Sequence, residues 1–316
     1  MIKKSIKSSI RDKRKARKST ATIKSNDDMY SSLGLNTIVG PDAEQLDEIK
    51  TKYVKRKRLR PLVGSEYDYK TMADSFSKEN VAQQLGNYRQ AMEFLAHITL
   101  SKNENNDKIV DRLKDLIYSY PNVDISSFVN KHHAMLYSWI IQSFIRIYGE
   151  KYLGTIYVMG GGIGVFSAML LDTSLRYENI RSLDINGTCK FLADEIMQTE
   201  VLDNWRFKAS TQDIFKVDYI NNKFTTDLPD GTSSKEFDEV PGVVINTNIS
   251  HIQNSDDWYK MVPDTRKLIL VGETGDVFRP FASSKQFNEA FPMTFVQYTG
   301  VIIVDDKQYF LKIGLK

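Results

Sequence analysis

The sequence predicts an α/β fold: a mostly parallel sheet with an antiparallel hairpin at its C-terminus, preceded by a helical subdomain and a basic tail. Three observations support this prediction. Beyond Gly149, short β-rich runs alternate with helical runs, which favours right-handed crossovers between parallel strands. The last two β-rich runs are separated only by a turn, so no crossover helix fits between them. Basic and acidic residues are also segregated along the chain.

Residues 1–60 form a basic leader. They hold 17 Lys and Arg against 7 Asp and Glu, a net charge of +10, whereas residues 61–316 hold 26 against 33, a net charge of −7. The first 25 residues carry ten Lys and Arg, one acid and no aromatic residue. Such a composition cannot bury enough apolar surface to offset the entropy of folding. We therefore expect residues 1–60 to be largely extended or disordered.

The leader suits several kinds of partner. Lys and Arg neutralise phosphates and release counterions, so nucleic acid is one partner and an acidic protein surface is another. Docking within a larger protein assembly is a further interpretation, and a solvated tail without a partner is the competing one. The same composition is also compatible with a mitochondrial presequence or with a nuclear import signal.

The remaining composition excludes several classes of protein. One cysteine, Cys189, permits no internal disulfide, which favours a reducing compartment and excludes metal sites built on paired cysteines. No apolar run reaches the roughly 18 residues that a membrane span needs, and the first residues lack the apolar stretch that is typical of a signal peptide. We expect a soluble, cytoplasmic protein without a membrane partner. The adjacent His132 and His133 lack further ligands at metal spacing, so we predict no metal site and interpret the pair as a surface or helix-start feature.

Residues 61–150 are predicted to form the helical subdomain. Apolar residues recur at i, i+3 and i+4 from about 75 to 148, with polar linkers at 101–107 and around Pro121. Residues 151–316 are predicted to form the α/β domain. Its predicted strands are 155–159, 180–185, 206–210, 242–246, 267–271, 294–304 and 308–313, and its predicted helices are 164–176, 187–199, 252–261 and 283–291.

A glycine-rich turn follows the first of these strands. Gly160, Gly162 and Gly164 give the pattern G-x-G-x-G between a strand and an apolar helix. Without Cβ atoms the backbone turns tightly and approaches a ligand, and the following helix offers free N–H groups. The competing interpretation is a turn in which glycine serves only close packing between strand and helix.

Polar residues end the next three strands. Asp184 lies twenty residues beyond Gly164, Asp213 follows the third strand, and Asn246 ends the fourth, with His251 shortly after it. The carboxyl ends of parallel strands meet at one edge of the sheet, where ligands bind in open α/β folds. A single such acid is more often a turn or N-cap residue. Their joint placement favours a cofactor site.

With these residues the sequence resembles the class I S-adenosylmethionine-dependent methyltransferases, over about residues 153–315. The resemblance implies that Gly160, Gly162 and Gly164 surround the methionine part of S-adenosyl-L-methionine, that Asp184 binds the ribose, and that Asp213 addresses the adenine amine. It implies a Rossmann-like sheet with a C-terminal antiparallel hairpin, which disfavours a dinucleotide-binding domain. The runs 204–209, 212–213, 244–247 and 309–314 are similar to methyltransferase-like proteins of bacteriophages, which implies a host-cytoplasm or virion location.

Two positions depart from that resemblance. Val158 stands where many of these enzymes carry an acid for the cofactor's amino group, and Ser250 stands where the phage-like group carries a glutamate. Asn246 and His251 are the candidate catalytic residues, the first to orient a nucleophile and the second to act as a base. His251 as a mere packing residue at a helix start is the competing interpretation.

Three functions stay open on the sequence. The first is a methyltransferase of unidentified acceptor. The second is a catalytically degenerate methyltransferase-fold scaffold in a phage particle or other complex, docked through the basic tail; the departures at Val158 and Ser250 and the polar insertion 216–239 favour it. The third is an aminocarboxypropyl transferase, which uses the same cofactor.

Overall fold

The computed structural model describes residues 78–98, 107–121, 123–221, 223–226, 236–275 and 277–316. The predicted basic leader lies outside these residues. Of the described helices, none is both long and apolar enough to span a bilayer. The helices are α1 Lys78–His97, α2 Asp107–Ser119, α3 Lys131–Tyr148, α4 Val165–Leu171, α5 Gly187–Ile196, α6 Gln198–Leu202, α7 Ser255–Met261 and α8 Ser284–Ala290.

Nine strands are described. They are β1 Thr155–Met159, β2 Ile180–Asp184, β3 Phe207–Thr211, β4 Lys223–Phe224, β5 Phe237–Asp238, β6 Pro241–Asn246, β7 Lys267–Glu273, β8 Phe295–Val304 and β9 Lys307–Leu315.

Seven of the strands form one sheet in the order β3-β2-β1-β6-β7-β9-β8. The pairs among β3, β2, β1, β6 and β7 are parallel, whereas β9 is antiparallel to both β7 and β8. This confirms the predicted Rossmann-like sheet, mostly parallel with an antiparallel C-terminal hairpin. The chain order reverses between β1 and β6, which makes the carboxyl edge at these two strands the expected ligand crevice.

Successive side chains along the strands point to opposite faces of the sheet and belong to two apolar clusters, one on each face. Ile156 and Val158 of β1 belong to the cluster that also contains the buried residues of α1 to α5, whereas Tyr157 and Met159 join the cluster beneath α7 and α8. The sheet is therefore covered on both faces, which explains why its central strands are almost uniformly apolar.

The helix before the sheet has well-defined ends. Asn130 caps α3, because its side-chain oxygen accepts the N–H of His133 at 2.9 Å, and Gly149 ends the helix with φ +49°. One face of α3 packs against the sheet through buried residues that recur every four positions, Leu136, Ile140 and Phe144. The three helices α1 to α3 share one apolar cluster with the sheet.

Several predicted boundaries were wrong. The predicted helix 187–199 breaks at Met197 into α5 and α6, and the predicted helix 164–176 stops at Leu171, where Asp172 forms its C-cap. The predicted helix 252–261 begins only at Ser255. Strand β7 runs two residues further than predicted, to Glu273, because β9 pairs with it over that length. Inside the polar insertion, β4 and β5 pair as a short antiparallel ribbon that the sequence did not predict.

Candidate functional site

The glycine turn after β1 contains positions that are glycine for different reasons. A Cβ added at Gly164 would come 3.0 Å from the Cβ of Ala193 on α5, and one added at Gly162 would come 2.9 Å from the ring of Phe128. Close packing therefore excludes a side chain at these two positions. All three glycines have positive φ, +62° at Gly160, +54° at Gly162 and +83° at Gly164, but a Cβ at Gly160 would meet no atom within 4 Å. The open space beside the turn lies at Gly160.

Asp184 ends β2 beside this turn. One carboxylate oxygen accepts the N–H of Gly162 at 2.9 Å, and the other accepts the N–H of Asn186 at 2.9 Å. Each carboxylate oxygen has two lone pairs, so the half-buried side chain retains capacity for two further donors. The acid predicted to bind ribose is thus tied to the glycine turn and still able to accept.

Asp213 lies one strand further out. Its side chain caps the short 3-10 helix Ile214–Lys216 and accepts the N–H of Phe215 at 3.0 Å. The residue Thr211 at the end of β3 pairs with Asp184, so Asp213 follows the same sheet edge. The observed role is the N-cap role, and its predicted contact with adenine stays a prediction.

Asn246 ends β6 directly beside the end of β1, where its register partner is Met159. It is 3% exposed, and its side-chain oxygen accepts the N–H of Asn248 at 3.0 Å. The sheet therefore places Asn246 next to the first glycine of the turn. Its carbonyl oxygen is already engaged in shaping the loop after β6.

The structure adds a residue that the sequence reasoning missed, Glu273 at the end of β7. Its carboxylate is only 2% exposed. One carboxylate oxygen accepts a hydrogen bond from the side-chain amide of Asn248 at 3.1 Å, and the other lies 3.3 Å from Nε2 of His251. Tyr309 donates to the same carboxylate, and Nζ of Lys307 lies 3.8 Å away. The strand-end pattern that singled out Asp184 would have found Glu273 had β7 been drawn to its full length.

These neighbours keep Glu273 ionised. Burial by itself raises the pKa of the carboxyl group, but hydrogen bonds from His251 and Tyr309 and the charge of Lys307 bring the pKa below its ordinary value. An ionised carboxylate only accepts hydrogen bonds, so Nε2 of His251 must carry its hydrogen. In the neutral imidazole this leaves Nδ1 as the proton acceptor, on a side chain that is 60% exposed.

Ser250 acquires a structural explanation. It is fully buried, and its hydroxyl oxygen accepts the backbone N–H of Glu273 at 2.9 Å. The serine thus holds the end of β7, and Glu273 brings a carboxylate to His251 from the neighbouring strand. The second departure, Val158, is completely buried in the apolar cluster under α1 to α5.

The beginning of α3 lies against the same edge. The ring of His132 contacts Tyr309, with centroids 5.0 Å apart, and its Nδ1 lies 3.7 Å from Asp305. Burial lowers the pKa of His132, against the opposing effect of Asp305, and lowers that of His133 to about 4. The pair is indeed a helix-start feature, but not a plain surface one. Among the described residues no group of three His, Cys, Asp or Glu could hold a metal ion.

A cavity of about 570 Å³ lies at the opposite edge, where the strands begin. Its wall contains Arg181, whose Nε and Nη2 bind both carboxylate oxygens of Glu239 at 2.7 and 2.8 Å. Trp205 and Phe237 contact each other at its rim, with ring centroids 5.2 Å apart. None of the predicted site residues lines this cavity.

No protein-family model and no curated protein matches the chain. Solved structures give remote likenesses. TrmN from Thermus thermophilus is 12% identical to this chain, with a TM-score of 0.35. The match covers 55% of this chain and 48% of the TrmN chain. A second likeness is magnesium protoporphyrin IX methyltransferase from Synechocystis PCC 6803, solved with bound SAM, which is 12% identical with a TM-score of 0.38. That match covers 67% of this chain and 99% of the methyltransferase chain.

Proposed function

We propose that this chain is an S-adenosyl-L-methionine-dependent methyltransferase. The observation that carries the proposal is the carboxyl edge at β1 and β6. There Gly160 borders open space, Asp184 keeps unused acceptor capacity, and Asn246 stands beside the glycine turn. A nucleoside cofactor needs a turn without side chains and an acid for its ribose hydroxyls, and this edge supplies both.

The residues at the edge divide into two groups by what they would do. Asp184 would accept the ribose hydroxyls, and the backbone at Gly160 would lie along the cofactor. S-adenosyl-L-methionine supplies an electrophilic methyl group on a sulfonium, so catalysis mainly requires an aligned nucleophile and a means to remove its proton. We assign alignment to Asn246 and proton acceptance to Nδ1 of His251.

Glu273 supports this assignment as a positioning residue. Its buried carboxylate fixes the ring of His251 through Nε2 and holds the amide of Asn248. The carboxylate that Ser250 lacks is thereby supplied from β7. Ser250, which stands in place of a glutamate and disfavoured activity, is thus compensated by Glu273 in this proposal.

The alternative proposal is a methyltransferase-fold scaffold of a phage particle or other complex, docked through residues 1–60. Its support is the buried Val158, which leaves no acid for the cofactor's amino group, together with the basic charge of the leader. A scaffold needs no cofactor, so cofactor binding separates the two proposals.

The test is a calorimetric titration of the full-length chain with S-adenosyl-L-methionine, repeated with Asp184→Ala. Binding that is lost or strongly weakened in the variant supports the methyltransferase proposal. The absence of binding to the unmodified chain would refute it and favour the scaffold.

A further inference from the structure

Phe128 lies directly against the glycine turn. A Cβ at Gly162 would come 2.9 Å from Cδ1 and 3.0 Å from Cε1 of its ring, so ring and backbone are in van der Waals contact. The N–H of the same Gly162 donates to Asp184 at 2.9 Å. One residue of the turn therefore connects the aromatic ring to the acid that ends β2.

The turn that carries Phe128 is firmly held. The backbone N–H groups of Phe128 and Val129 donate to the carbonyl of Ile125 at 2.9 and 2.8 Å, and Ile125 and Val129 are buried. Asn87 of α1, itself 1% exposed, donates its amide to the carbonyl of Val123 at 2.6 Å. The turn 125–129 is thus anchored to α1 and to the core, while the ring of Phe128 is only half-buried.

The partly open ring lies next to the open part of the turn. Gly160 and Gly162 are two residues apart, so they are at most about 7 Å apart along the chain. Gly162 is thus two residues from Gly160, donates its N–H to Asp184 and contacts the ring, so the ring lies beside the segment that joins the two proposed ligand contacts. Aromatic rings receive apolar groups and, through their faces, cationic groups such as a sulfonium.

We infer that Phe128 is a cofactor-contacting residue and that the turn 125–129 forms a wall of the cofactor site. This inference rests on the proposed function, since the ligand is S-adenosyl-L-methionine. It explains why position 162 is glycine: the ring occupies the place of a side chain. It also makes the helical subdomain part of the site, which the glycine motif does not indicate.

Calorimetric titration of the full-length chain with S-adenosyl-L-methionine tests the inference. Phe128→Ala should weaken binding about tenfold through the loss of apolar contact, and Phe128→Leu should retain most of the affinity. Phe295→Ala, which removes an exposed aromatic ring from the edge strand β8, is the matched control and should bind like the unmodified chain. Unchanged affinity in Phe128→Ala overturns the inference but leaves the proposed function intact. Failure of the unmodified chain to bind overturns both.

A second measurement needs no variant and so does not depend on the folding of Phe128→Ala. Amide hydrogen exchange of residues 123–130 is followed in the unmodified chain with and without S-adenosyl-L-methionine. Slower exchange in the presence of the cofactor supports contact with the turn. If the cofactor binds and exchange in this segment is unchanged, the inference is wrong.

Discussion

Glu273 is the residue whose chemistry orders the loop after β6 and the ring of His251. A buried carboxylate is costly unless it is hydrogen-bonded and charge-compensated, and here His251, Asn248, Tyr309 and Lys307 provide that compensation. The arrangement gives the ring of His251 one orientation. It also makes the ionised state of Glu273 part of the folding energetics.

The lowered pKa of Glu273 predicts how stability responds to acid. The folded pKa lies below the ordinary value, so the stabilisation is present above the ordinary pKa and is lost as the pH falls through the folded pKa. Glu273→Gln should therefore cost about 1–3 kcal/mol of unfolding free energy near pH 7 and less at pH 4. Urea denaturation across this range measures the difference. Glu289→Gln on the surface of α8 is the control, and an equal cost of Glu273→Gln at both pH values would contradict the account.

At the scale of elements, the glycine turn and the turn before α3 act as one unit. Gly160 and Gly162 both have positive φ, +62° and +54°, but only Gly162 has a ring where its side chain would be. Alanine at either position is strained by the backbone conformation. The difference between the unfolding free energies lost in the two alanine variants therefore isolates the contact with Phe128.

We predict that Gly162→Ala destabilises the chain by about 1 kcal/mol more than Gly160→Ala. In a Phe128→Ala background the two substitutions should cost nearly the same, because the ring is gone. Thermal or urea unfolding of the single and double variants gives the double-mutant cycle. Equal costs of the two alanine substitutions in the unmodified background would show that the ring does not press on position 162.

The order of elements was predictable from sequence, because alternation of β-rich and helical runs and the short final turn are local signals. Other features depend on distant residues. Glu273 belongs to β7 only because Tyr309 of β9 pairs with it, and Gly-Glu-Thr-Gly in isolation is typical of a turn. The break at Met197 carries no glycine or proline to mark it.

The residues of the candidate site also divide into those that local sequence signals locate and those that depend on distant contacts. Asp184 and Asn246 could be placed at the carboxyl edge because they end predicted parallel strands. Phe128 could not be placed there, because its contact with Gly162 depends on how the helices before the sheet pack. The dual meaning of the glycine motif, with packing at Gly162 and Gly164 and open space at Gly160, likewise required the tertiary structure.

At the scale of the whole molecule, the chain joins a leader of net charge +10 to a remainder of net charge −7. If phosphates are the leader's partner, binding to mixed-sequence DNA or RNA should fall steeply and log-linearly with salt. Deletion of residues 1–25, which carry ten of the Lys and Arg, should abolish most of that binding. Gel-shift or anisotropy titrations at several salt concentrations measure both effects. Binding that survives the deletion with an unchanged salt slope would contradict a role for residues 1–25 and assign the contact to residues 26–316.

Paired calorimetric titrations determine whether the carboxyl edge of the sheet binds S-adenosyl-L-methionine through Asp184, as we propose. The unmodified chain should bind, Asp184→Ala should bind at least about tenfold more weakly because hydrogen bonds to a charged acceptor are lost, and Glu289→Ala should match the unmodified chain. No binding by the unmodified chain, or equal affinity of the unmodified chain and Asp184→Ala, would contradict the account.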